Sequence, residues 1–279
     1  MDKQQSLPRI AFQGERGAFS EEAAVKLLGE DIQLVPRPTF ESLYSSIHDG
    51  LADNILAPIE NSLAGSVIRS YDLLIASGLH IQAEVVIPIA HNLIAVPGAK
   101  FEDITQVSSH PVALAQCERF FASHPAIKRV AADDTAGSVN DMMKVGDPTK
   151  ATIAGRRAAA VYGATILKEH LEDHLENYTR FLLLKPSDEV APNADKLSLV
   201  LYLAHKPGSL CKVLNAFAQR NLNLLKIESR PIAGTPWSYC FYLDLQASLK
   251  DSDTVAALEE LKQFTDSVKI LGCYPQARV

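Results

Sequence analysis

Apolar positions in the first two-thirds of the chain fall either in short continuous runs or at helical spacing. RIAFQ (9–13) predicts a strand, followed by a glycine-containing turn and a helix starting near Ser20. Ser20 suits the N-cap, Glu21 and Glu22 suit the positive end of the helix, and Gly29 suits its stop. Phe40, Leu43, Tyr44, Ile47 and Leu51 keep an i, i+3, i+4, i+7, i+11 spacing and predict a second helix. NILAPIE (54–60) then predicts a buried strand, and a helix follows over about 66–76. The alternation continues through QVSS (106–109), a helix from Pro111, RVAAD (129–133), a helix from about Ala136 and KATIAG (150–155). Strands alternating with helices predict an α/β fold with largely parallel sheets. The β-type stretch at 81–96, broken by Pro88, predicts a strand crossing between two lobes, and TRFLLL (179–184) predicts the return. The expectation is a two-lobed α/β unit with a cleft.

The pattern changes after Lys185. PSDEVAPNAD (186–195) is polar with two prolines and predicts a linker. KLSLVLYL (196–203) predicts a strand, and Leu210, Val213, Leu214 and Phe217 line one face of a helix. LNLLKIES (222–229) and SYCFYLDLQA (238–247) predict strands, 252–265 a helix and VKILGCY (268–274) a last strand. The order βαββαβ is the ferredoxin-like arrangement. The expected boundaries are 1–185 for the two-lobed part, 186–195 for the linker and 196–279 for the second domain.

Composition narrows the chemistry. The 279 residues carry 27 Lys+Arg against 33 Asp+Glu, a formal charge of −6, and no basic run. Nucleic acid is therefore a poor partner, and an anionic substrate would need a local site. Cys117, Cys211, Cys240 and Cys273 form no CxxC pair, which suits a reducing compartment better than a disulfide framework. The opening MDKQQSLPRIAFQGE has no apolar leader, and the apolar stretch 79–99 is interrupted by His80, Gln82, Glu84, Pro88, His91 and Asn92. It is too polar to span a membrane, so a cytoplasmic protein is expected.

Several segments place polar groups where strands hand over to helices. QGERGAFS (13–20) lacks the GxGxxG and GK[ST] spacings, which leaves an ordinary turn or a carboxylate cradle of backbone N–H groups and the Ser20 hydroxyl. In APIENSLAGS (57–66), Glu60 and Asn61 sit at the end of a buried strand, where α/β folds place ligand groups and also helix caps. SSHPVALAQ (108–116) and DDTAGS (133–138) repeat the device, with Ser109 and Gln116 in the first of them. NYTRF (177–181) puts Thr179 and Arg180 at the rim of a buried strand. Arg180 suits an ion pair, and no base in the sequence marks Thr179 as a nucleophile. His170 and His174 in HLEDH stand four apart on an expected helix, a spacing that suits a solvated face when no third ligand is present. KPGSL (206–210) and ESRP (228–231) read either as turns or as a small amino-acid site where two such modules pair.

Taken together, APIENSLAGS, SSHPVALAQC, DDTAGS, NYTRF, PGSL and KIESRP, in this order, resemble the prephenate dehydratase family. The resemblance runs from QGERGAFS to LGCYP. It implies two α/β lobes like those of type 2 periplasmic binding proteins, followed by an ACT regulatory domain. It also implies decarboxylating dehydration of prephenate to phenylpyruvate, water and CO2 in phenylalanine biosynthesis, with phenylalanine as allosteric effector. The implied catalytic residues are Thr179, Glu60, Asn61, Ser109 and Gln116. Ser20, Ser62, Thr135, Ala136, Gly137 and Arg180 are the implied substrate-binding residues. The implied effector site is Gly208, Ser209 and Leu210 with Glu228, Ser229, Arg230 and Pro231; Ser209 departs from the family's usual Gly-Ala-Leu. A homodimer or homotetramer through the ACT domains is implied as well. The elimination changes no oxidation state beyond loss of CO2 and needs no electron sink, so neither cofactor nor metal is expected. Thr179 is too weak an acid to donate a proton outright, which leaves it a positioning or relay role. Two alternatives stay open: an arogenate dehydratase, whose substrate carries an amine in place of the ketone, and a non-catalytic amino-acid sensor.

Overall fold

β1 (Arg9–Gln13) buries its three middle residues, as the apolar centre of RIAFQ requires. The computed structural model describes all residues except 1–6, 205, 233 and 279, so the first residues of the segment read for a leader lie outside it. α1 (Phe19–Leu28) starts earlier than expected: Ala18 is its N-cap, not Ser20. Gly17, at φ +83°, turns the chain, and its N–H is taken by the buried Glu21 carboxylate at 3.0 Å. With that bond made inside the first turn, Ser20 becomes a helical residue that is 6% exposed.

β2 (Gln33–Arg37) leads to α2 (Phe40–His48), where Thr39 and Ser42 cap each other reciprocally. Leu51, counted above as helical, lies past its end, because Asp49 closes the helix and Gly50 turns at φ 66°. β3 (Asn54–Asn61) is followed by β4 (Gly65–Ser66), which folds back on Glu60 and Asn61. α3 (Ile68–Ser77) and β5 (His80–Pro88) complete this stretch.

The crossing falls where Pro88 placed it. β6 (Asn92–Ala95) is fully buried in a different sheet. That second lobe adds β7 (Gln106–Ser109), α4 (Pro111–Ala115), α5 (Glu118–Ser123), β8 (Lys128–Ala131), α6 (Thr135–Val145), β9 (Lys150–Ala154), α7 (Arg156–Tyr162) and β10 (Thr165–Lys168). β11 (Tyr178–Lys185) then returns to the first sheet. The orders are β2-β1-β3-β11-β5, with β4 on β3, and β10-β6-β9-β7-β8. Pairs β1–β2, β1–β3, β7–β8 and β7–β9 are parallel as expected, while the crossing strand β6 runs antiparallel to β9 and β10.

HLEDH is not helical. α7 ends at Gly163 in the left-handed region, and the chain after β10 runs as an irregular segment tied down by other elements. Leu171 N–H donates to His91 O and Asp173 N–H to Gln116 O, at 2.8 and 2.7 Å. The Asp173 carboxylate accepts from Glu118 N and Arg119 N, capping α5. Tertiary hydrogen bonds thus override a weak helical pattern.

The C-terminal part has the expected βαββαβ order: β12 (Lys196–Tyr202), α8 (Ser209–Ala218), β13 (Asn223–Pro231), β14 (Tyr239–Gln246), α9 (Ser252–Leu261) and β15 (Ser267–Tyr274). Its antiparallel sheet runs β13-β14-β12-β15. Leu197, Leu199, Leu201, Val213, Phe217 and Leu243 form its core.

Contacts divide the chain into one unit of residues 7–68 with 85–181 and another of 69–84 with 182–278. In the second unit, Tyr71 of α3 meets Tyr242 edge-on at 4.7 Å between ring centroids. Arg230 grips Asp72 through two bonds of 3.0 Å, and buried Lys196 lies 3.0 Å from Glu84. Among the described residues no helix is long and apolar enough to cross a membrane.

Candidate active site

A cavity of about 260 Å³ in the first unit gathers residues from both lobes. The first lobe supplies Gln13, Ser20, Asn61 and Thr179; the second supplies Gln116, Asp134 and Thr135. Phe19, Pro58, Val67, Ile89, Val112 and Phe181 make much of the remaining wall apolar.

The direction of each hydrogen bond in the wall follows from the backbone outward. Leu63 and Ala64 N–H groups donate to Asn61 Oδ1 at 3.0 and 2.8 Å. Asn61 Nδ2 must therefore point the other way, where it lies 2.7 Å from Asn177 Oδ1 and 3.0 Å from both Tyr178 O and Thr179 Oγ1. Thr179 accepts from Asn61, which leaves its own proton uncommitted among the described residues. Asn177 is fully buried, and with Oδ1 occupied its Nδ2 donates to Gln116 Oε1 at 3.2 Å. His91 Nε2 lies 2.8 Å from the same Oε1, which fixes the tautomer with the proton on Nε2. The Gln116 amide nitrogen is then left for a ligand. One chain of amides thus sets both a hydroxyl and an amide donor toward the cavity.

His91 is 2% exposed. Burial pulls its pKa below the ordinary 6.5, against the opposing effects of Gln116 and Glu172, so it is neutral at pH 7. Behind this wall Cys117 is also buried, and burial, then Glu172 and Asp173, push its thiol up to about 12. It is no nucleophile at neutral pH.

The other expected site residues are distributed differently. Ser20 and Thr135 line the cavity from the first turns of α1 and α6. Ala136 is 1% exposed in the core of its lobe, and Gly137 N–H donates to the capping Asp134 Oδ1 at 2.7 Å. Ser109 is fully buried and donates to Ile153 O at 2.6 Å, which ties β7 to β9. Glu60 and Arg180 form an ion pair of 3.7 Å outside the cavity lining. Ser62 clamps neighbouring segments, donating to Glu176 O and accepting from Tyr178 N. The sequence reading passed over three residues here: Asn177, His91 and Asp134. All three had a signal, since His91 interrupts the most apolar stretch, Asn177 opens NYTRF and Asp134 lies in DDTAGS.

Strand alternation splits the C-terminal candidates. Gly208, at φ 82°, caps α8, and Ser209 and Leu210 line a cavity of about 160 Å³ with Tyr239 and Phe241. Pro231 and Ser229 are the cross-strand partners of Tyr239 and Phe241, so they share that face. Glu228 and Arg230 pair with Tyr242 and Cys240 on the opposite face, where Arg230 binds Asp72.

A two-lobed α/β unit with a hydroxyl- and amide-lined cavity, joined to a ferredoxin-like module, defines a small-molecule enzyme with a regulatory domain. The chain belongs to the prephenate dehydratase family: the prephenate dehydratase profile matches residues 10–189, and the ACT domain profile matches residues 198–263. It is 41% identical to arogenate dehydratase/prephenate dehydratase 1, chloroplastic, of Arabidopsis thaliana, over 98% of this chain and 74% of that one. Among solved structures, it resembles a prephenate dehydratase from Arthrobacter aurescens in complex with L-Phe (32% identity, TM-score 0.87, covering 96% of this chain and 90% of the other). It also resembles GqqA, described as a novel type of quorum-quenching acylase (30% identity, TM-score 0.88, covering 96% and 97%).

Proposed function

We infer that the chain converts prephenate to phenylpyruvate, water and CO2, and that phenylalanine regulates this activity through the C-terminal module. The observation that carries the chemistry is the enforced polarity at Thr179. As the C–C bond to the ring carboxylate breaks, its electron pair aromatises the ring and the 4-hydroxyl departs as hydroxide, which takes up a proton. Negative charge grows on that oxygen, and a donor fixed in advance stabilises it. Thr179 accepts from Asn61 and so offers its O–H outward, while Gln116 offers an N–H from the other lobe. Ser20 and Thr135, in the first turns of 10- and 11-residue helices, are placed to receive the carboxylates.

Glu60, Arg180, Ser62 and Ser109 support the site from outside the cavity by holding β3 to β11 and β7 to β9. In the regulatory module the effector's place is the pair of segments 208–210 and 228–231, one from each of two copies. That reading is supported by the exposed Leu225 and Ile227 on edge strand β13. A cytoplasmic location is supported by four cysteines that stay free.

The test is to incubate purified protein with prephenate and follow phenylpyruvate. Product formation, slowed by added phenylalanine, is expected. A protein that binds phenylalanine but turns over neither prephenate nor arogenate would be a sensor. Turnover of an acyl substrate alone would favour the activity of the acylase relative.

A further inference from the structure

The charge of the cavity bears on which substrate it holds. Among the described residues lining it there is no arginine or lysine, and Asp134 is the single carboxylate. Asp134 spends Oδ1 on Gly137 N–H, at 2.7 Å, as the N-cap of α6. No hydrogen bond of Oδ2 is seen among the described residues. The surroundings reinforce the negative sign. Glu15 lies beside the same turn, since a Cβ on Gly137 would sit 3.5 Å from both Glu15 Cγ and Asp134 Oδ1. The nearby Tyr162 hydroxyl has its pKa raised by burial first, then by Glu15, Asp134 and Glu21. Arg16, the cation of that loop, is bound 2.7 Å from Glu21.

Prephenate brings two carboxylates and a ketone to this wall, and the ketone offers Asp134 no proton. Arogenate differs only in carrying an ammonium in place of the ketone, and an ammonium is what an unpartnered carboxylate oxygen in a partly closed cavity binds. Building on the dehydratase reading, we propose that Asp134 is the specificity-determining residue of this site: its Oδ2 takes the side-chain ammonium, and the chain prefers the amino-acid substrate arogenate to the keto acid prephenate. The contact is remote from the eliminating ring and is made equally in ground and transition states, so it acts on KM more than on kcat.

The experiment measures kcat and KM for both substrates on the full-length protein and on Asp134→Asn. Asparagine and serine both cap helices, so Asp134→Asn and Asp134→Ser remove the charge and keep α6. The native protein is expected to favour arogenate in kcat/KM. In both variants KM for arogenate rises about tenfold or more, while KM for prephenate falls because a repulsion is relieved. The arogenate-to-prephenate ratio then drops by more than about tenfold. An unchanged ratio in variants with native circular dichroism would overturn the assignment of Asp134, and so would a native preference for prephenate. No turnover of either substrate by the native protein would instead overturn the dehydratase reading itself.

Discussion

At the scale of single residues, the wall of the cavity depends on which end of each amide faces which neighbour. Thr179→Val keeps the volume and removes the hydroxyl, so kcat is expected to fall about 10²–10³-fold with thermal stability nearly unchanged. Steady-state kinetics and a melting curve check both halves. Asn177→Asp still accepts from Asn61 but cannot donate to Gln116, which frees that amide to turn its oxygen toward the cavity. A large loss in kcat follows, and the double variant with Gln116→Ala should be little worse than Gln116→Ala alone, because both changes act through one group. Additive losses would show that Asn177 acts elsewhere. His91 adds a pH dependence. Its folded pKa lies below the ordinary 6.5, so just below about pH 6.5 the unfolded chain holds more protons and stability falls with pH until the folded value is passed. His91→Gln should flatten that limb in melting curves between about pH 7 and 5. Legibility at this scale was uneven. Thr179, Asn61 and Gln116 were picked out through the family resemblance. The part of Asn177 depends on an amide orientation dictated by backbone N–H groups 113 to 114 positions earlier, and no local pattern encodes that.

Elements were read more reliably than their ends. Each stretch expected to be extended holds a strand, but 81–96, expected as one crossing strand, is two: β5 ends at Pro88 and β6 starts at Asn92 in the other sheet. The cap of α1 was misplaced because Ser20 is a good cap in isolation, and what moved the helix start was Glu21 reaching back to Gly17. HLEDH failed as a helix for a similar reason, since its Asp173 is spent on capping α5. The first turns of α1 and α7 show why the glycines between them matter. A Cβ on Gly17 would stand 2.6 Å from Ala158 Cα, at a φ of +83° that already disfavours any side chain. One on Gly155 would stand 2.9 Å from the Phe19 ring, which can swing aside. Gly17→Ala is therefore expected to destabilise by about 1–3 kcal/mol or more through strain and overpacking, and Gly155→Ala by less. Because Phe19 and Ser20 move with α1, Gly17→Ala should also raise KM. Denaturant melts together with kinetics distinguish this from a purely global loss.

For the whole molecule, the least legible feature is that α3 belongs with the C-terminal sheet. Its amphipathic pattern says only that one face is buried, not which distant sheet buries it. The ties are specific. β5 is held to the same sheet: Lys196 and Glu84 are 5% and 6% exposed, and fully buried Asp244 lies 3.9 Å from the same ammonium, so Lys196→Met leaves two buried carboxylates without that cation and should cost about 3–5 kcal/mol. The Arg230–Asp72 pair has a different consequence. Arg230 lies in the KIESRP segment, α3 carries Asp72, and Val67, which lines the active-site cavity, immediately precedes Ile68 at the start of α3. The chain therefore runs without interruption from the partner of Arg230, in a segment proposed to bind the effector, back to β3, which ends at Asn61. If phenylalanine acts by changing how Arg230 is held, the pair is a step in its coupling to catalysis. Asp72→Asn weakens the pair without touching the cavity or the cores. Turnover without effector is expected to stay within about twofold of native, while the phenylalanine needed for half-inhibition rises by about five- to a hundredfold, the usual span of an allosteric coupling energy. Phenylalanine titrations of the dehydratase rate, with effector binding measured separately by calorimetry, test this directly. Inhibition at an unchanged concentration would mean that the signal bypasses α3, and binding lost in proportion to inhibition would mean that Asp72 shapes the effector site itself.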